Sequence, residues 1–220
     1  MAFPATTILD DFTGTDETPI TTGWAAFLTG DSGPLARISN QLTDAGGGTD
    51  TSSYYDASGG VFGPDCEVYA TIATASAVAA DQFKLFARIV NPTLSTMSGY
   101  ELHVEKSAGT DIWRIRRRDS TTPTVLGADM NQEIASGDSV GMSVVGTTIS
   151  AYYKSGAGSW TLVGSRSDST YSAAGVTGVK TTQTVTRAWK ADNYGGGTIS
   201  GGGGGGGSSN SQSMLLMGVG

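Results

Sequence analysis

Glu101, His103 and Glu105 are the first residues whose types and spacing could do chemistry. Spaced by two in an apolar-flanked run, they project from one face of a strand. Two carboxylates so placed could act as nucleophile and general acid in glycoside cleavage. The same alternation describes the solvent-facing polar stripe of an antiparallel strand, and that plainer reading takes precedence. The next run, residues 112–118, carries four arginines. Arg114, Arg116 and Arg118 share a face with Ile112, whereas Trp113, Ile115 and Arg117 share the other. Arginine beside tryptophan offers stacking and bidentate contacts to sugars or carboxylates. Trp113, Arg114 and Arg116 are therefore candidate carbohydrate contacts. Tyr54 and Tyr55 join them as the only large side chains of residues 43–60. Pairing of the arginines with Glu101 and Glu105 across strands, or with an acidic neighbouring subunit, is the ordinary sheet alternative and is preferred.

Other chemistries are excluded by what is missing. One histidine and one cysteine leave no zinc cluster. A Ser-His-Asp triad would rest entirely on His103. The glycine run 201–207 has no Lys-Ser/Thr after it and no strand-to-helix setting, so it is not a phosphate loop. Cys66 alone allows no intrachain disulfide. A net charge of −7 argues against nucleic acid and against anionic membranes. The N-terminus lacks a basic and then apolar leader, and no apolar run approaches the roughly 20 residues of a membrane span. The expected product is made in the host cytoplasm without a signal peptide.

The elements that must position these residues are strands. Of 220 residues only 15% are charged, 33 are glycine, and β-branched and aromatic residues recur in short runs between turn residues. Strands are predicted at 8–12, 24–28, 35–42, 61–74, 82–90, 100–106, 112–118, 140–145, 148–154, 160–165 and 186–194. Residues 43–60 read as a long surface loop, and the alanine-rich 73–80 as a short helix or loop. Regular spacing of strands and turns predicts an all-β fold, a two-sheet antiparallel sandwich.

The order of features adds to this. It runs from Leu9-Asp10-Asp11-Phe12 and Gly23-Trp24 through Gly99-Tyr100-Glu101-Leu102-His103-Val104 and Trp113-Arg114-Ile115-Arg116-Arg117. It continues with Ser136-Gly137-Asp138-Ser139-Val140-Gly141-Met142, Gly146-Thr147-Thr148-Ile149-Ser150-Ala151-Tyr152 and residues 168–175, and closes with Asp192-Asn193-Tyr194-Gly195-Gly196. This series resembles the concanavalin A-like, laminin-G-type jelly roll found in many bacterial and bacteriophage proteins, over nearly all of the domain. The resemblance implies a jelly-roll sandwich, a superfold that hosts glycosidases, lectins and structural modules alike. It implies that Asp11 and Asp192, on the first and last strands, lie close together where such domains often hold a structural Ca²⁺. No other cofactor is expected. It also aligns Glu101, His103 and Glu105 with the Glu-x-Asp-x-Glu of jelly-roll glucanases, with His103 in place of the central aspartate.

Three segments follow: a lectin-like domain over 1–197, a Gly/Ser-rich flexible linker over 198–213, and an apolar anchoring peptide over 214–220. Met214, Leu215, Leu216, Met217 and Val219 would insert into a groove or add a strand on a partner. The expected function is that of a structural virion protein of a tailed bacteriophage, in head decoration, tail or fibre. It would be homo-oligomeric, trimeric or larger, and held to other virion proteins by its C-terminal arm. A carbohydrate-binding module for host glycans is the alternative, and a glycoside hydrolase the weakest reading. The chain is not expected to be an enzyme.

Overall fold

Period-two alternation in the chain becomes strands with one face toward a shared core. The structure, a computed structural model, describes residues 2–27, 33–46, 50–93, 95–120 and 122–200. In chain order the strands are β1 (Ile8–Asp10), β2 (Trp24–Ala26), β3 (Leu35–Ile38), β4 (Gln41–Asp44), β5 (Asp50–Tyr55) and β6 (Val61–Phe62). Next come β7 (Cys66–Thr74), β8 (Gln82–Val90), β9 (Ser98–Glu105), β10 (Ile112–Asp119), β11 (Thr122–Val125) and β12 (Met130–Asn131). The last are β13 (Ser139–Val145), β14 (Thr148–Lys154), β15 (Thr161–Ser167), β16 (Gly175–Thr182) and β17 (Lys190–Thr198). Among the described residues the only helix is a single 3-10 turn, Ala57–Gly59.

The strands form two antiparallel sheets. The first runs β15-β14-β13-β7-β17-β4-β3, with β1 also against β17; the second runs β11-β10-β9-β8-β16-β5-β2, with β12 against β10 and β6 against β16. Their inner faces meet in one apolar core that includes Val68, Ile72, Phe83, Leu85, Leu102, Trp113, Val140, Met142 and Trp189.

Several expectations shift. Residues 35–42 are a hairpin, not one strand, because Ser39 and Asn40 take φ of 52° and 60°, the paired positive values of a tight two-residue turn. Residues 43–60 are not a surface loop: β5 lies within them, and Thr51 to Tyr54 are buried. Polar Thr and Ser hid this strand, and one pair of its hydroxyls is satisfied across strands, Thr51 Oγ1 to Thr181 Oγ1 at 2.9 Å. Residues 61–74 break into two strands around Gly63-Pro64. Of the two readings of the alanine-rich 73–80, the loop holds over 75–80, and residues 73 and 74 end β7.

Glycine serves a common purpose in β16, which the strand pattern leaves out, and in β17, which runs past the predicted 186–194. In β16 a Cβ on Gly178 would fall 2.7 Å from the Phe27 ring. In β17 a Cβ on Gly195 would fall 2.1 Å from Tyr69. Glycine there makes room for an aromatic ring lying on the sheet, not for a flexible coil. The folded domain accordingly passes 197: Thr198 ends β17, and Ile199 is buried and bonded through its N–H to Asp65. The anchoring peptide and most of the glycine linker, from 201 on, lie outside the described residues.

Candidate functional site

The outer face of the second sheet collects most of the residues with chemical potential. Register places Arg114, His103, Lys84, Lys180 and Ser52 in one row across five strands, and Arg116, Glu101, Phe86, Gly178 and Tyr54 in the next. Tyr54, Arg114 and Arg116 thus share a surface with Glu101, His103 and Glu105. Tyr55 and Trp113 do not. Tyr55 packs toward the core against Trp24, at 5.7 Å between ring centroids. Trp113 is fully buried and donates its indole N–H to the Gln132 carbonyl at 2.8 Å. Alternation sends 113 and 55 inward as surely as it sends 114 and 54 outward.

The Glu101–His103–Glu105 stripe is not solvent-facing in the way an open sheet would leave it. Glu101 and His103 are wholly buried beneath their neighbours' long side chains. Glu101 accepts from Arg118 Nη1 at 2.8 Å and meets Arg116 Nη1 at 3.4 Å. His103 Nδ1 lies 3.6 Å from Glu101, and Nε2 lies 3.0 Å from Glu105. Arg114 holds Asp129 with Nε and Nη2 at 2.8 and 3.0 Å, and Glu105 with Nη1 at 3.0 Å. The expected cross-strand pairing of arginines with glutamates is therefore present.

Burial and charge set the protonation states. Burial would raise the Glu101 carboxyl, but His103, Lys84 and Arg118 outweigh it and hold the group well below the usual carboxylate range. Lys84 is pushed down to about 8 by burial, against the pull of Glu101. Arg116 is lowered by burial and by the charge of Arg114. His103 is lowered by burial, with the charge of Arg116 adding, against Glu101 and Glu105. Because the folded His103 gives up its proton below the unfolded value of about 6.5, its stabilising effect is complete above that pH. It is lost as pH falls from there through the folded value. No other histidine exists in the chain. The urea midpoint should therefore drop more between pH 7.5 and 5.5 in the native protein than in His103→Gln, and equal drops would contradict a buried neutral ring.

Arg116 differs from its neighbours. Its one polar contact among the described residues is the long one to Glu101, and its Nε has no partner. The side chain is 16% exposed. An apolar cluster of Phe27, Tyr54, Phe86, Ile89, Met97 and Val176 closes the other end of this face, with Arg118 stacked 5.7 Å above Phe86.

No family model matches the chain, and no curated protein matches it. Solved structures do. The CBM2 module of the Lactobacillus casei BL23 phage J-1 evolved Dit superposes with a TM-score of 0.53 at 12% identity, covering 84% of this chain and 92% of that one. The fold is the lectin-type jelly roll. The VIP36 exoplasmic/lumenal domain in its Ca²⁺/Man2-bound form gives 0.61 at 8% identity over 88% of both chains. A Bacillus subtilis protein of unknown function with a galectin-like fold gives 0.55 at 11% identity, over 83% of this chain and 94% of that one.

The calcium expectation meets a partial shell. Asp11 follows β1 and Asp192 lies in β17, which pair directly. Asp192 is raised by burial and then by repulsion from Asp11 and Asp10, so the three carboxylates sense one another. Their oxygens are occupied locally: Asp11 accepts from Thr13, Asp192 from the Asn193 N–H, and Asp10 from Phe12 N–H and the Trp24 indole. Among the described residues no group of three or more His, Cys, Asp or Glu side chains could hold a metal. Calcium takes six to eight oxygens, and these carboxylates, which serve here as turn and capping acceptors, supply only part of such a shell. Among the described residues no helix is long and apolar enough to cross a membrane.

Sequence reasoning missed Lys84, Lys180 and Phe86. The strand of Lys84 and Phe86 was visible and that of Lys180 was not, and only the register of β8 and β16 brings all three onto this face.

Proposed function

We propose that this chain is a glycan-binding attachment module of a tailed-bacteriophage particle, acting without catalysis. It would bind host saccharides with the outer face of the second sheet and hold to other virion proteins through residues 214–219. The observation that carries the reading is Arg116, a partly exposed guanidinium with one long contact and spare donors on a face crossed by shorter ion pairs. Such a group is suited to the carboxylate or vicinal hydroxyls of a sugar. The jelly-roll neighbours support it: one is a module of a phage Dit and another was solved with Man2. Glycoside cleavage is disfavoured by chemistry. A general acid needs a raised carboxyl at the surface, and Glu101 is buried, ion-paired and lowered.

Glycan-array binding should fall at least tenfold in Arg116→Ala, and Arg116→Lys should not restore it, because ammonium lacks the planar fork. Unchanged binding in Arg116→Ala, or a blank array for the native chain, would overturn the binding half. A chain ending at residue 200 should fold and bind alike yet be missing from purified particles. Normal incorporation of that chain would overturn the virion half.

A further inference from the structure

We infer a second saccharide site, on the outer face of the first sheet, whose ring seat is filled by the chain's own Phe3. Register sets Tyr152, Gly141, Tyr69 and Gly195 in one outward row across β14, β13, β7 and β17. Gly141 stands between two aromatic residues, and the Phe3 ring lies in the gap. A Cβ there would fall 2.4 Å from Phe3 Cζ. Phe3 stacks flat on Tyr152, with centroids 4.0 Å apart and planes 4° apart. Trp160 closes the side at 4.9 Å, edge-on, with Lys154 Nζ 5.8 Å from its ring centroid.

Two recesses flank this stack and share Ala2, Phe3 and Tyr152 as walls. One, of 280 Å³, also carries the hydroxyl residues Ser143, Thr148 and Ser150; the other, of 500 Å³, carries Ser159 and Trp160. A flat aromatic face, a second ring at its edge and hydroxyls on both sides make a seat for a pyranose. The axial C–H face of a β-linked sugar is apolar and weakly positive, complementary to the negative face of Tyr152, and its rim hydroxyls need polar partners. Phe3 mimics that ring. Its tether is firm only from Ala5 onward: Glu67 Oε1 accepts from Ala5 N, Thr6 N and Thr6 Oγ1 at 2.6, 2.6 and 2.7 Å, and Tyr69 Oη donates to the Thr6 carbonyl. Residues 2–4 carry no such anchor among the hydrogen bonds of the described residues. A sugar therefore competes with Phe3 alone.

The inference takes its ligand class from the glycan-binding reading above but lies on the opposite sheet, so the two fail separately. Trp160 is partly exposed, whereas Trp24, Trp113 and Trp189 are buried, so tryptophan fluorescence reports on this seat. Titration with cellohexaose and with chitohexaose should show at least one binding tenfold more tightly to Phe3→Ala than to the native chain. Acrylamide quenching should rise in the same variant. Tyr152→Ala added to Phe3→Ala should abolish the signal, and Arg116→Ala should leave it unchanged. Phe3→Leu, which keeps an apolar side chain without a flat ring, serves if Phe3→Ala melts. No binding of either hexasaccharide by a folded Phe3 variant would overturn the inference, as would quenching equal to the native chain. Loss of the signal in Arg116→Ala would overturn the separateness of the two sites.

Discussion

Glu101→Ala should lower the free energy of unfolding by about 3–5 kcal/mol, the usual cost of removing one partner of a buried ion pair. The carboxylate is fully buried, and Arg118, itself buried, donates to it at 2.8 Å. Without it, Arg118 keeps its charge in a site with little water, and Arg116 loses its one polar contact among the described residues. The large effect therefore comes from stranded cations and not from the worth of the pair. Glu101→Met combined with Arg118→Met should recover much of the loss, since apolar replacement of both partners removes the unpaired charge. Urea unfolding at pH 7 measures both. A loss below about 1 kcal/mol for Glu101→Ala would mean the arginines reach water, as exposed pairs do. The same carboxylate gives an acid signature. Its folded value lies below the unfolded one of about 4.3, so its stabilisation is complete above that pH and fades as pH falls below it.

That buried carboxylate marks the limit of what alternation discloses. Spacing alone placed Glu101, His103 and Glu105 on one face, separated Arg114 and Arg116 from Trp113, and foretold the Arg–Glu pairing. It did not tell which face would be covered. Covering depends on Lys84 and Phe86 of the preceding strand and on Lys180 of the distant β16, which come onto this face only through register. The same holds for β5 and β16, built from Thr, Ser and Gly. Their strand character comes from buried hydroxyl pairs and from rings resting on glycine, and neither leaves a hydrophobic period to read. The seat of Phe3 is more hidden still. Phe3, Gly141, Tyr152 and Trp160 come from the chain's opening segment and its middle, and only the sandwich brings them together. The jelly-roll series, by contrast, was legible because it is an order of turns and strands along the chain, which needs no tertiary contact to be seen.

Trp113 brings out the practical consequence. Trp113→Ala should destabilise the domain by about 3–5 kcal/mol, as large-to-small changes in packed cores do. The indole is fully buried, meets Tyr153 edge-on at 6.3 Å and donates to the Gln132 carbonyl. Truncation would open a cavity at the heart of β10 and leave that carbonyl without its donor. A domain so weakened would lose the sugar binding proposed for the second sheet, because β10 carries Arg114 and Arg116 on its other side. Loss of binding in Trp113→Ala would thus look like loss of a stacking platform while reporting only unfolding. Trp113→Phe separates the two. It retains most of the apolar volume and gives up the hydrogen bond, so it should cost roughly 1–3 kcal/mol. Glycan affinity measured below its unfolding transition should then match the native chain. A Trp113→Phe domain that is folded by thermal melt yet blank on the array would place Trp113 at the sugar after all, against its position in the core.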